Sequence, residues 1–341
     1  MSLFSLTQEI AIDLGTANTI IIVDGKIVVD EPSVVAIRKA DDKLIAVGKR
    51  ASVMRDRGEG KIYTVRPLQK GVIADYKACE MMIRGLIDLI PHRRRFLNPV
   101  IKMVVCVPSG ATPAEIRTIN DSCMQAGARE LYLIYEPMAA ALGMGFDIEG
   151  PNGCMVVDIG GGTTEIAVMS LGSIVVNKSI PIAGDALNQD IVRYMDKSHG
   201  MRISEPTAER IKKQVGSALM ELENPPEDMM VIGPNKTTDL PLKVPVSYQE
   251  ISHCLEKNIS SIENAILQAF GETPSELYAD IVQNGIWLTG GGALLHGLAQ
   301  RLSNKMTIDF HVAEDPLHSV VKGTGIALKN INNFSFLLKG G

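Results

Sequence analysis

Two short loops in this sequence have the composition of phosphate cradles. Gly15-Thr16-Ala17-Asn18-Thr19 and Gly160-Gly161-Gly162-Thr163-Thr164 each join two strands of a hairpin, and an aspartate at a strand end, Asp13 or Asp158, precedes each loop. Small residues let backbone N–H groups approach a phosphate, and the threonine hydroxyls add donors. A carboxylate beside a polyphosphate repels it. The sensible task for Asp13 and Asp158 is therefore to hold a divalent cation through water. The sequence has no GxxxxGK[ST] and no GxGxxG opening a helix, so neither the P-loop nor the dinucleotide fold is supported.

A third glycine run, Gly290-Gly291-Gly292-Ala293, follows a predicted strand and precedes a predicted helix. Such a turn admits a flat ring or a phosphate close to the backbone at a helix start. Glu209, Lys212 and Lys213 are spaced i, i+3, i+4 and share one helix face, which could grip a ribose and a base. Without the loops, that face would read as a solvated charged surface. Glu136 stands where the strand 131–135 ends and a helix opens with Pro137. In open α/β sheets ligands bind at that edge, and a carboxylate there can orient a water that attacks a terminal phosphate.

The elements around these residues repeat. DLGTANTIIIV (13–23) aligns without gaps on DIGGGTTEIAV (158–168), matching Asp13 to Asp158, Gly15 to Gly160 and Thr19 to Thr164. Past the hairpin turn, Ile27-Val28-Val29 matches Ile174-Val175-Val176, with the second turn two residues longer. Matching Asp, Gly and Thr in register with the apolar face points to a duplicated domain. The length of 341 residues also suits two cores.

Strands are expected at 10–14, 19–23, 102–107, 131–135, 154–159 and 285–289; those at 102–107 and 131–135 alternate with helices, which implies right-handed crossovers and a partly parallel sheet. Thr112, Pro113 and Glu115 start one helix with a capping box, and Ser247 with Glu250 starts a long one. Further helices are expected with Asp185 as cap, near Pro206, and after Thr273-Pro274-Ser275-Glu276. The Pro-rich stretch 224–246 reads as small strands and loops.

Net charge is −5 with no long single-sign block, which argues against nucleic-acid binding. Five scattered cysteines without CxxC fit a reducing cytoplasm, and the six histidines show no metal-ligand spacing. No apolar run is long enough to span a membrane.

The series DLGTANT, EPMAAALG, VVDIGGGTTE, LTGGGALL and GTGIAL resembles the five motifs of the actin, hexokinase and heat-shock-chaperone superfamily. EPSVVAI (31–37), GVIADY (71–76), VCVPSGAT (105–112), TAERIK (207–212) and AEDPL (313–317) narrow the resemblance to the MreB family of bacterial actins, over nearly the whole chain. It implies an α/β, duplicated actin-like (ribonuclease H-like) fold, with mixed sheets flanked by helices and four subdomains around one nucleotide cleft. The expected division is 1–147, with a small insert at about 32–65, then 148–315, with an insert at about 182–246, and a C-terminal helix within 316–341 returning to the first domain. The same resemblance implies ATP and Mg2+ as ligands, Thr163 as a catalytic partner of Glu136, and Glu209, Arg210, Ile211 and Lys212 at the nucleoside end. It implies homopolymer filaments on the inner face of the membrane, acting with cell-wall elongation proteins. Phe96 and Leu97, beside Arg93-Arg94-Arg95, are the candidate membrane contact, with Leu3, Phe4 and Leu6 as possible assistants. Tyr135 and the NQD at 188–190 depart from the family pattern. A sugar kinase, a chaperone module and a tethered division actin are the rivals; each lacks its own mark here.

Overall fold

The computed structural model describes residues 7–54, 60–90 and 100–340. The chain opens with three antiparallel strands, β1 (Thr7–Leu14), β2 (Asn18–Val23) and β3 (Lys26–Pro32). Asp24 and Gly25 turn the second hairpin with φ of 52° and 76°, the left-handed pair that suits strand twist. A small sheet follows, with β4 (Val35–Arg38) between β5 (Leu44–Val47) and β6 (Ile62–Val65), and α1 (Gly48–Met54) against it. A short hairpin, β7 (Leu68–Gln69) and β8 (Val72–Ile73), returns the chain to the cleft.

Then come α2 (Tyr76–Asp88), β9 (Val100–Val107), α3 (Pro113–Gln125), β10 (Ala128–Tyr135) and α4 (Glu136–Gly143). Thr112 and Glu115 make both hydrogen bonds of the capping box at the start of α3, and Pro113 occupies its first turn.

The second half repeats the plan with β11 (Cys154–Ile159), β12 (Thr164–Ser170) and β13 (Ser173–Ile180). It continues through α5 (Gly184–Ser198), α6 (Glu205–Val215) and the hairpin β14 (Met229–Pro234) and β15 (Pro241–Val246). The long α7 (Tyr248–Gly271), α8 (Ser275–Asn284), β16 (Ile286–Thr289), α9 (Leu298–Met306), β17 (Phe310–Val312), α10 (Ser319–Lys329) and β18 (Leu338–Lys339) complete the chain.

The duplication is visible strand for strand. One sheet runs β10-β9-β1-β2-β3, with β18 added antiparallel at its edge, and the other runs β17-β16-β11-β12-β13. In both, the first strand pairs antiparallel with the second and parallel with the fourth. Even the register agrees: Asp13 faces Ile20, and Asp158 faces Glu165. A bulge interrupts the second-to-third strand pairing in each copy.

α4 and α10 lie together between the two sheets, α10 against β1 and β9, α4 against β11 and β12. Their crossing is backbone against backbone. A Cβ built on Gly323 would lie 1.7 Å from the Ala139 carbonyl oxygen, and one on Gly143 1.8 Å from that of Ser319. Outside this layer, each sheet has its own core. On α7, Ile251, Leu255, Ile259, Ile262 and Ile266 are buried against the second sheet, each contributing about 1.5–3 kcal/mol.

Three local expectations are corrected. Ala183, not Asp185, occupies the cap position of α5; Asp185 sits in its first turn, and its N–H donates to the Gly161 carbonyl at 2.7 Å. Pro274 precedes α8 without a side-chain cap, because the Thr273 hydroxyl is spent on the Ala269 carbonyl. The glycine run after β16 opens a single 3-10 turn, Gly291–Leu294, and α9 starts only at Leu298. No helix among the described residues is long and apolar enough to cross a membrane.

Candidate functional site

The parallel strands of both sheets deliver their C-terminal ends to one cleft. The two glycine-rich loops meet there face to face. A Cβ on Gly161 would come within 2.6 Å of Ala17 Cβ, and one on Gly162 within 2.7 Å of Thr16 Oγ1, so only glycine permits this approach. Thr19 and Thr164 do not act as free donors. Thr19 shares a hydrogen bond with Ser33 at 2.9 Å, and Thr164 donates to the Ile182 carbonyl at 2.7 Å. Both are buried and lock the hairpins in shape. The loops are left to offer backbone N–H groups, with Ala17 and Asn18 exposed at the tip of the first.

Below the loops four carboxylates gather. Asp13 is next to last in β1, Asp158 is next to last in β11, Glu136 opens α4, and Glu165 lies across from Asp158 on β12. Burial pushes Asp13 up to about 6, although the Cys106 thiol donates to it at 3.1 Å and His318 also lowers it. Asp158 is pushed to about 7 by burial and then by the charges of Asp13 and Glu165. Glu136 is driven well above the carboxylate range, first by burial and then by Glu165, Asp13 and Asp158. Burial, reinforced at Asp158 and Glu136 by neighbouring carboxylates, marks a place short of positive charge.

Asp13 and Asp158 therefore fit a divalent cation. Among the described residues no three His, Cys, Asp or Glu side chains are placed to hold one metal ion together, so phosphate oxygens and water would complete its shell. Protons would compete with that cation as pH falls from 8 to 6, through the values of both aspartates. Magnesium dependence of nucleotide binding should weaken over that range, and Asp158→Ala should flatten it. Unchanged affinity and unchanged magnesium dependence in the variant would remove Asp158 from this role.

Glu165 escaped the sequence reading. Its carboxylate accepts from the Ser109 N–H at 3.1 Å, from the Ser109 hydroxyl, and from the Ser179 hydroxyl at 2.5 Å. It joins the segment after β9 to β12 and β13, so the two halves are tied by a buried, fully satisfied acid. The repeat held the signal: a carboxylate stands where the first copy has Ile20. The β7–β8 hairpin was also missed. Its Gly71 N–H donates to Thr16 Oγ1 at 3.1 Å, and a Cβ on Gly71 would lie 2.8 Å from the Thr163 methyl, so the hairpin tip touches both loops.

Behind the second loop, Lys212 binds Glu209 at 2.7 Å and the carbonyl of Gly184, whose N–H donates to Gly160, at 3.1 Å, while Lys213 reaches Glu209 at 3.2 Å. Burial raises the Glu209 carboxyl, but Lys212, Asn188 and Lys213 outweigh it and hold the group down at about 2. Their neighbours are not brought to the same face: Arg210 is exposed and Ile211 is fully buried in the core. Gly290, with φ of 76°, passes so close to Asp158 that a Cβ would lie 2.3 Å from its Oδ1. A Cβ on Gly292 would lie 2.2 Å from Ile159 Cγ2, and Ala293 is buried behind. The third glycine run thus packs onto the end of β11, beside the second loop. Phe96 and Leu97, like Leu3, Phe4 and Leu6, lie outside the described residues.

Comparison with known proteins decides among the proteins this geometry could serve. The MreB/Mbl protein family matches residues 7–335. The chain belongs to the MreB/Mbl family. It is 43% identical over 331 residues to the cell shape-determining protein MreB of Escherichia coli, covering 96% of this chain and 94% of that one. Identity to the cell shape-determining protein Mbl of Bacillus cereus is 41% over 326 residues, covering 95% and 97%. Among solved structures, MreB 5 of Spiroplasma citri bound to AMPPNP superposes with a TM-score of 0.89 at 34% identity, covering 96% and 97%. A MamK double helical filament superposes at 0.78 with 19% identity, covering 96% and 99%, a likeness of fold alone. The fold of this MreB/Mbl chain is therefore actin-like, as the duplicated sheets already indicate.

Proposed function

We propose that this MreB/Mbl chain is a slow ATPase that assembles into homopolymer filaments to maintain rod cell shape. ATP would lie between the two loops, with Gly15–Asn18 and Gly160–Gly162 around its phosphates. Glu209 and Lys212 would take the ribose and base, and Gly290–Ala293 would back them. The observation that carries this reading is the contact of Gly161 with Ala17 and of Gly162 with Thr16 above Asp13, Glu136 and Asp158. The AMPPNP-bound and ADP-bound states of the Spiroplasma relative support the ligand class.

Glu136 would orient the attacking water, with Thr163 beside it. With ATP bound, a Mg2+ ion at Asp13 and Asp158 would supply the positive charge that the site lacks. Offsetting those two charges lowers Glu136, so that more of it is the free carboxylate that can take a proton from the water. We place the division of the chain after residue 147, with the C-terminal α10 packed back onto α4. Filaments of this protein would lie on the inner membrane face in the cytoplasm, with Phe96 and Leu97 in contact with lipid, and would organise cell-wall elongation proteins.

Because a bound nucleotide would touch both repeats, it should favour the closed cleft, and closure should favour assembly. A ligand drives closure only by binding the closed state better. Sedimentation across a range of protein concentrations should show more polymer with ATP than with ADP or without nucleotide. Identical pelleting in all three conditions would separate assembly from the nucleotide.

A further inference from the structure

Charge at the loops needs a source that the loops do not contain. Neither Gly15–Thr19 nor Gly160–Thr164 includes a lysine or arginine, and four carboxylates lie beneath them. One divalent cation would leave a bound nucleoside triphosphate with net negative charge. Lys212 is already paired with Glu209 and the Gly184 carbonyl. Arg66, just before the β7–β8 hairpin, is differently placed. Its NH2 donates to the Thr16 carbonyl at 3.2 Å, and its guanidinium pairs with Asp185 at 2.9 Å across the cleft. Asp185 in turn donates its N–H to the Gly161 carbonyl at 2.7 Å, so this one ion pair touches both loops.

The pair is only part-buried, with side chains 29% and 32% exposed, and a pair of that kind is weakly held. A phosphate offers the same planar fork a doubly charged, bidentate partner. We propose that Arg66 is the terminal-phosphate sensor of this site. With a nucleoside triphosphate bound, its guanidinium leaves Asp185 for the terminal phosphate; with the diphosphate it returns. The exchange would free or fix the first turn of α5, and so report the phosphate to the second half of the molecule. This inference rests on the nucleotide reading above.

The test is magnesium-dependent binding of ATP and of ADP to wild type, Arg66→Ala, Arg66→Lys and Asp185→Asn. Arg66→Ala should weaken ATP binding by about 10–100-fold, as expected for a lost charge-assisted contact, and leave ADP binding nearly unchanged. Arg66→Lys should recover part of the loss, keeping the charge without the fork. Asp185→Asn should keep or tighten ATP binding, because it frees the arginine. Equal weakening of both nucleotides by Arg66→Ala and Asp185→Asn would show a simple cleft clasp and overturn the proposal, as would an Arg66→Ala protein that binds ATP like wild type. Should Arg66→Ala fail to fold, the opposite responses of Arg66→Lys and Asp185→Asn decide the matter. If wild type binds neither nucleotide, the nucleotide reading itself falls, and the sensor with it.

Discussion

Glu136→Ala should bind ATP as wild type does and release phosphate about 10²–10⁴-fold more slowly, the usual contribution of one proton-accepting or water-orienting group. The expectation follows from position and environment together. Glu136 is the first residue of α4, at the end of β10, where the strand ends open onto the cleft. Burial and three neighbouring carboxylates hold it well above the normal range in the free protein. Such a group is expensive for the fold, so its replacement by Gln should not lower stability. Filaments of the variant should also persist longer after ATP addition. Phosphate release at the wild-type rate from Glu136→Ala would remove it from the chemistry, whatever became of the filaments.

The second large effect lies behind the cleft, where α4 crosses α10. Gly323→Ala should damage the whole protein, because its Cβ would fall 1.7 Å from the Ala139 carbonyl oxygen and 2.8 Å from the Gly143 nitrogen. Both partners are backbone, so no side chain can rotate away; α4 and α10 must separate. Overpacking in a tight interior costs about 1–3 kcal/mol and sometimes more. Backbone against backbone belongs at the upper end, so the melting temperature of a chain of this length should fall by roughly 4 °C or more. Since α4 carries Glu136 at its start, hydrolysis should fall as well. Gly271→Ala serves as the control: nothing lies within 4 Å of its added Cβ, and its melting temperature should stay near that of wild type. Equal melting of wild type and Gly323→Ala would show that the α4–α10 crossing is looser than described.

What the sequence revealed and what it hid divide along physical lines. The repeat was legible because pairing register is written into period-two patterns, so Asp13 and Asp158 could be matched before any coordinates. The starts of α3 and α7 were legible because a capping box is a local arrangement of residues three apart. Asp185 misled, since a carboxylate in the first turn of a helix is favoured by the dipole as well as at the cap. The helix after Gly290 was placed too early because Gly297 interrupts it, with φ of 73°.

The Ser109–Glu165 tie, the Arg66–Asp185 pair and the Gly143–Gly323 contact join residues far apart in the chain. Nothing in their local spacing could announce them. Thr19 and Thr164 match in the repeat, yet each hydroxyl is engaged within its own half, Thr19 with the Ser33 hydroxyl and Thr164 with the Ile182 carbonyl.

The central claim is that the duplicated loops clasp one nucleotide between them. A crystal structure of this protein with Mg2+ and a non-hydrolysable ATP analogue tests it most directly. The account predicts phosphate density between Gly15–Asn18 and Gly160–Gly162, a cation facing Asp13 and Asp158, and the base near Lys212 and Gly291. Density for the analogue elsewhere, with the loops still in contact at Gly161 and Ala17, would contradict it.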